Sequence, residues 1–222
     1  MRLTRYGLEL GHAERPRTGR QPRSDGRAYA LEPTQTYPEQ VRPPAVHWTP
    51  LGNLRHGDCV FAAMAHSIQA SDPTTRFTTA QVLDPYLTYI AKYDNGADDG
   101  SDPSIVEDEA MTTGLFGWTC PGFVGVDHTS EAAIKSAIAA HRSVLLEIEV
   151  TRGIIADWER SAPWTLGGST AFYGLHEIAL VGYQRSWLYG VSWGVLVALS
   201  PRYVATYGIQ AQSPLAWREV AP

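Results

Sequence analysis

Cys59 stands where a tight turn gives way to a predicted apolar helix. The turn is Gly57-Asp58, and small or apolar side chains follow at helical spacing over residues 60–68. A helix N-terminus carries partial positive charge and unpaired N–H groups, and both favour the thiolate, which is the nucleophilic form of cysteine. Buried cysteine is also common in protein cores. The fragment is therefore compatible with a nucleophile and with a core residue.

A nucleophilic cysteine needs a base, and among the histidines His176 fits that role best. His66 lies on the same predicted helix, roughly 10.5 Å further along at 1.5 Å per residue, and His56 lies on the turn. His176 instead begins the apolar stretch HEIALVGY, directly after a glycine-containing segment. As the first residue of a buried strand, it would point its ring out of the sheet end, where a group from another lobe can meet it.

The elements that must position these two residues are segregated along the chain. Thr78 and Gln81 have the spacing of a capping box, and Asp102-Pro103 is typical of a helix start. Helices are predicted over 59–68, 78–93, 103–113 and 129–141, and strands over 143–150, 176–183 and 187–193. Helices followed by strands predict an α+β fold with two lobes.

Residues 1–45 differ in composition from the rest of the chain. They hold eight arginines, five acids and six prolines, whereas the whole chain has a net charge of −5. We interpret 1–45 as an extended Arg/Pro-rich arm that adds no strand to the sheet, and 46–222 as one globular domain. The arm has three readings: a disordered tail, an arm that docks on another protein, or an inhibitory pro-segment.

Composition narrows the classes of function. No apolar run is long enough to span a bilayer, and the first residues lack the apolar core of a signal peptide, so we expect a protein that begins in a cytoplasm. Two cysteines do not make a disulfide framework, and no Cys/His cluster has zinc-finger spacing. The acidic balance makes nucleic-acid binding unlikely. The aspartates of 94–102 are compatible with Ca²⁺ but lack the EF-hand order.

An ordered series of motifs resembles the papain-like cysteine peptidases. GDCVFAAMAHSI resembles their nucleophile helix, HEIALVGY their base strand, and VSWG the segment that follows it. With LGN, DDGS and GLFGW in the same order, the series over about 46–208 most resembles the short members that bacteriophages and prophages encode. The resemblance implies a helical lobe carrying Cys59 packed against an antiparallel sheet lobe carrying His176.

The resemblance assigns roles to three residues. Cys59 matches the nucleophile and His176 the general base and acid. Asn53 falls where the family has a glutamine whose amide helps to form the oxyanion hole. Val191 departs from the family, because it stands where an asparagine orients the histidine. Ser192 or a backbone carbonyl is left to orient the ring, and Val191→Asn is expected to raise the reactivity of Cys59.

Two classes of function stay open. The first is a cysteine peptidase or amidase that acts on a peptide or protein and needs no metal or organic cofactor. The second is a weakly active or inactive papain-like structural or interaction protein of a phage virion, bound to other phage proteins through the arm. The corresponding locations are the host cytoplasm and the virion.

Overall fold

Six helices and nine strands follow one another in the described part of the chain, residues 17–18 and 36–220 of a computed structural model. The helices are α1 (Cys59–Ser71), α2 (Thr79–Tyr93), α3 (Pro103–Thr112), α4 (Glu131–His141), α5 (Arg152–Glu159) and α6 (Pro201–Tyr207). The strands are β1 (Gln40–Val41), β2 (Trp118–Thr119), β3 (Phe123–Val126), β4 (Val144–Thr151), β5 (Phe172–Gln184), β6 (Trp187–Ser192), β7 (Val195–Leu199), β8 (Gly208–Pro214) and β9 (Arg218–Glu219).

Capping chemistry sets the starts of two helices as the sequence predicts. Before α2, the Thr78 hydroxyl accepts a hydrogen bond from the Gln81 N–H, and the Gln81 side chain accepts one from the Thr78 N–H. Before α3, the Asp102 carboxylate accepts from the Ser104 N–H at 2.8 Å, with Pro103 in the first helical position. Both predicted helix starts are confirmed.

A seven-stranded sheet forms the second lobe. Its strands run in the order β3-β8-β4-β5-β6-β7, with β1 paired to the far end of β5, and all these pairs are antiparallel. β5 is the longest strand and pairs with β4 on one side and β6 on the other. The predicted α+β class is confirmed.

The expectation that the first 45 residues add no strand was wrong. Gln40 and Val41 pair with Gln184 and Tyr183 at the end of β5. Gly182 permits this approach, because a Cβ there would lie 2.7 Å from the carbonyl oxygen of Val41. Apart from 17–18 and 36–45, the predicted arm lies outside the described residues, and the domain boundary at residue 45 stays a prediction.

The sheet has an apolar core on each face. α1 packs against β5, and its core includes Cys59, Ala179 and Val191. The other core contains Ile178, Leu180 and the inner side chains of α4, α5 and α6. Because successive strand residues point to opposite faces, this division fixes the face to which each site residue turns.

Candidate active site

Cys59 is the first residue of α1 and is 1% exposed. Asp58 occupies the N-cap position as its sequence suggests, but its side chain makes no capping hydrogen bond to the helix. Burial raises the pKa of Asp58 well above its usual range, and the neighbouring Asn53 amide offsets only part of that rise. The positive end of α1 is thus left without a side-chain cap beside the cysteine.

The turn before Cys59 is held from the acidic loop 94–102. The Asp98 carboxylate accepts a hydrogen bond from the Gly57 N–H at 2.8 Å and another from the Tyr86 hydroxyl at 2.5 Å. The sequence marks this loop only as a run of aspartates, and nothing in it singles out Asp98. Its role in fixing the turn ahead of Cys59 is visible only in the structure.

Asn53 lies in this turn and is buried. Its Nδ2 donates to the backbone carbonyl of His56 at 3.3 Å, so the amide helps to close the turn that leads into α1. The role of Asn53 as an oxyanion donor stays a prediction.

His176 lies inside a strand and not at its start. The sequence places it first, but β5 begins at Phe172, because residues 172–175 also pair with β4. On the other side, β6 pairs with β5 only from Ala179 onward. His176 therefore has a paired strand on one side alone, and the other side opens toward the end of β6.

The imidazole of His176 is fully enclosed and makes two specific contacts. Its Nε2 lies 2.9 Å from the Ser192 hydroxyl, and its ring stacks on the Trp193 indole with centroids 4.4 Å apart and planes 16° apart. Among the described residues, Nδ1 has no hydrogen-bond partner. Burial lowers the pKa of His176 to about 3, so the ring is neutral at pH 7.

A two-residue turn lies between His176 and the loop before Cys59, and it contacts both. Trp193 and Gly194 connect β6 to β7 with φ of 48° and 76°, the combination that fits a tight hairpin. Positive φ is unfavourable for a bulky residue, and the Trp193 ring is fixed on several sides, by stacking on His176 and by contacts with Trp158 and Trp164. A Cβ on Gly194 would collide with Pro50, so this turn lies directly against the loop that leads to α1.

Val191, the residue that stands in place of the expected asparagine, is a core residue. It is 1% exposed and belongs to the core that α1 makes with the sheet. Its neighbour Ser192 points to the opposite face, where it meets His176. Of the sequence-predicted residues, Cys59 and Asn53 lie in one lobe and His176 in the other. Their pairing in catalysis stays a prediction.

Two other kinds of site are absent from residues 17–18 and 36–220. No three His, Cys, Asp or Glu side chains in this part are grouped to hold a metal ion. No helix in it is both long and apolar enough to cross a bilayer.

Comparison with known proteins identifies relatives by structure alone. The sequence matches no protein-family model and no curated protein. Xylellain, a cysteine protease from Xylella fastidiosa, matches with a TM-score of 0.67 and 13% identity over 95% of this chain and 100% of xylellain. Procathepsin B from Trypanosoma congolense matches at 0.59 and 9% over 91% of this chain and 85% of that one.

A cysteine protease from Carica candamarcensis, solved in complex with E-64, matches at 0.55 and 13% over 81% of this chain and 99% of that one. At such identities the likeness establishes the fold alone. The chain has the papain-like α+β fold, in which the helical lobe carrying Cys59 packs against the antiparallel sheet lobe carrying His176.

Proposed function

We propose that the protein is a cysteine peptidase or amidase that hydrolyses an amide bond through Cys59, with His176 as the base. The observation that carries the proposal is the setting of His176. Its ring is stacked on Trp193 and tied through Nε2 to Ser192, which leaves Nδ1 without a described partner. An oriented, neutral imidazole is what a general base requires.

The proposed reaction needs only groups of the protein and water. Nδ1 of His176 takes the thiol proton as the Cys59 sulfur bonds to the amide carbonyl carbon. The Asn53 amide and the Cys59 backbone N–H stabilise the oxyanion. The imidazolium returns its proton to the nitrogen as the C–N bond breaks, which leaves a thioester. Water, deprotonated by His176, then releases the acid and restores the thiol.

The enclosed state described here is not the most reactive one. A base whose pKa is about 3 accepts a proton poorly at pH 7. Because burial is the cause of the low pKa, entry of water or a polar substrate returns it toward its ordinary value near 6.5. We therefore expect activation of Cys59 to accompany opening of the site.

Thiol labelling tests the proposal. E-64 or iodoacetamide is added to the wild type and to the Cys59→Ala and His176→Asn variants, and modification is followed by intact mass across pH 5–9. Cys120→Ala is the matched control, because burial raises the pKa of that thiol and its Sγ donates to the Gly122 carbonyl at 3.0 Å. We expect one label on Cys59, retained in Cys120→Ala, lost in Cys59→Ala and slowed in His176→Asn.

The second candidate is a weakly active or inactive papain-like structural or interaction protein of a phage virion. The enclosure of Cys59 and His176 and the apolar residue at 191 favour it. The contrary outcome is labelling of Cys59 at the same rate in the wild type and in His176→Asn, with the pH profile of an ordinary thiol whose pKa is about 8.5. That result would contradict the peptidase and favour this second candidate. The phage origin is likewise a proposal, as are the host cytoplasm for the peptidase and the virion for the interaction protein.

A further inference from the structure

Arg17 and Thr18 lie against the wall of the site that carries His176. The Trp193 indole N–H donates to the Arg17 carbonyl at 2.9 Å. Thr18 sits on Gly174, two residues before His176, so closely that a Cβ on Gly174 would overlap the Thr18 hydroxyl. The backbone of residues 17–18 is thus seated beside the candidate base.

The side chain of Arg17 reaches the opposite wall. Its Nη1 donates to the Asp98 carboxylate at 3.0 Å and to the Arg55 carbonyl at 3.3 Å, and its Nη2 donates to the Asp98 carbonyl at 3.3 Å. Asp98 also holds Gly57, two residues before Cys59. A single arginine residue therefore spans the gap between the elements that carry the candidate base and the candidate nucleophile.

The Asp98 carboxylate that binds the guanidinium is held in place by other hydrogen bonds within the protein. One oxygen of Asp98, Oδ1, is engaged internally by the Gly57 N–H and the Tyr86 hydroxyl. Burial and the Asp98 carboxylate raise the pKa of Tyr86, which keeps this hydroxyl a donor. The other oxygen, Oδ2, points to Arg17, with His56 Nδ1 at 3.5 Å.

The three oxygens that accept from Arg17 lie in different directions, and this arrangement suits a planar guanidinium better than an ammonium. Arginine offers five N–H donors in a fixed fork, whereas lysine is a compact charge on a flexible stem. One carboxylate oxygen and two backbone carbonyls match that fork. The arrangement also disfavours neutral analogues, because they take from Oδ2 of Asp98 the charge-assisted hydrogen bond that a guanidinium donates.

We propose that Asp98, with the carbonyls of Arg55 and Asp98, forms a subsite that selects an arginine side chain of a peptide substrate, and that Arg17 occupies this subsite in the resting chain. This inference rests on the proposed function, because it takes the place that Arg17 occupies, between the elements that carry Cys59 and His176, as the place where the substrate binds. A peptide with arginine in the corresponding position takes over the contacts of Arg17 once that residue leaves.

The test measures binding without chemistry. The full-length Cys59→Ala, Arg17→Gln protein is titrated by calorimetry with acetyl-Ala-Arg-Thr-Gly-amide and with the same peptide carrying citrulline, which keeps the shape of arginine without its charge. We expect the arginine peptide to bind about tenfold more tightly, as for a charge-assisted hydrogen bond at a partly exposed carboxylate. The preference should shrink with added salt.

Two further substitutions assign the preference to the carboxylate charge. Asp98→Asn keeps an oxygen that accepts from Gly57 but removes the charge, and it should abolish the difference between the two peptides. Tyr86→Phe removes a hydrogen bond from the same carboxylate but keeps the charge, and it should retain the difference. Circular dichroism verifies that both variants fold.

Equal affinity for the two peptides, binding of neither, or a preference that persists in Asp98→Asn would overturn the subsite. Activation of Cys59 in the labelling assay with no arginine preference would leave the peptidase and remove only this inference. A preference for the arginine peptide, together with a Cys59 that is not activated in the labelling assay, would refute the peptidase proposal and leave Asp98 as part of an arginine-binding site.

Discussion

At the scale of single residues, the partner of His176 is a hydroxyl one position away from where the family places an amide. The resemblance of the VSWG motif places the missing asparagine at Val191 and suggests that Val191→Asn is a repair. In the structure, Val191 belongs to the core beneath α1, whereas its neighbour Ser192 meets His176 on the other face. Strand parity decides the matter, and parity depends on a register that the sequence does not specify.

Substitution of these two neighbours should have opposite consequences. Ser192→Ala removes the hydrogen bond to Nε2 and should slow alkylation of Cys59 at pH 7, with a small change in melting temperature. Val191→Asn buries an amide in an apolar core, so it should cost about 1–3 kcal/mol of stability and give no faster alkylation. Iodoacetamide labelling and thermal unfolding measure both. Faster labelling in Val191→Asn would restore the repair hypothesis.

At the scale of elements, the turn between β6 and β7 lies against His176, the proposed base. Trp193 contacts His176, and Gly194 abuts Pro50 in the loop that leads to Cys59. The turn therefore couples the end of one strand pair to the start of α1. A Cβ at position 194 would collide with the Pro50 nitrogen, so the turn or the Pro50 loop must shift to admit any side chain there.

Gly194→Ala tests this coupling against a matched glycine. Gly96 has a φ of +82°, close to the +76° of Gly194, but a Cβ at Gly96 meets no atom within 4 Å. Both alanines carry backbone strain, commonly about 1–3 kcal/mol, and only Gly194→Ala adds the collision. Gly194→Ala should lose more stability in urea unfolding and should alter Cys59 labelling, whereas Gly96→Ala should leave labelling unchanged. Equal effects would remove the coupling role.

The elements themselves were predictable where their signals are local. Thr78 and Asp102 mark helix starts, because their side chains accept hydrogen bonds from backbone N–H groups two or three residues later. The early start of β5 was not predictable, because residues 172–175 are held by pairing with β4 and not by their own apolar pattern. The contact between Asp98 and Arg17 was not predictable for the same reason, since the two residues are 81 positions apart in the sequence.

At the scale of the whole molecule, two buried histidines link folding to pH. Burial lowers the pKa of His66 to about 4 and that of His176 to about 3. The Thr49 carbonyl, 2.9 Å from Nε2 of His66, offsets only part of the effect of burial on that pKa. In an unfolded chain both titrate near 6.5. Between about pH 4 and 6.5 the unfolded state therefore binds protons that the folded state does not.

Stability should consequently fall as the pH is lowered from 7 to 5. Each group contributes up to about 1.4 kcal/mol per pH unit once the unfolded histidine is protonated. The raised pKa of buried Asp58 acts oppositely, since it favours the folded state as the pH falls. Urea unfolding at pH 7 and pH 5 measures the net slope. His66→Gln should flatten it. A slope unchanged in His66→Gln would contradict the assignment.

The contact of Arg17 with Asp98 affects the apparent affinity of any competing ligand, because Arg17 belongs to the same chain as Asp98. A tethered group competes at an effective concentration that is commonly of millimolar order and does not fall on dilution. A short peptide that meets only this subsite must reach comparable concentrations to displace it. A longer substrate that engages both walls, or a chain cut between residues 18 and 36, escapes that competition. On the proposed assignment of this subsite, affinities measured for short peptides will report the strength of the internal occupant as much as that of the site.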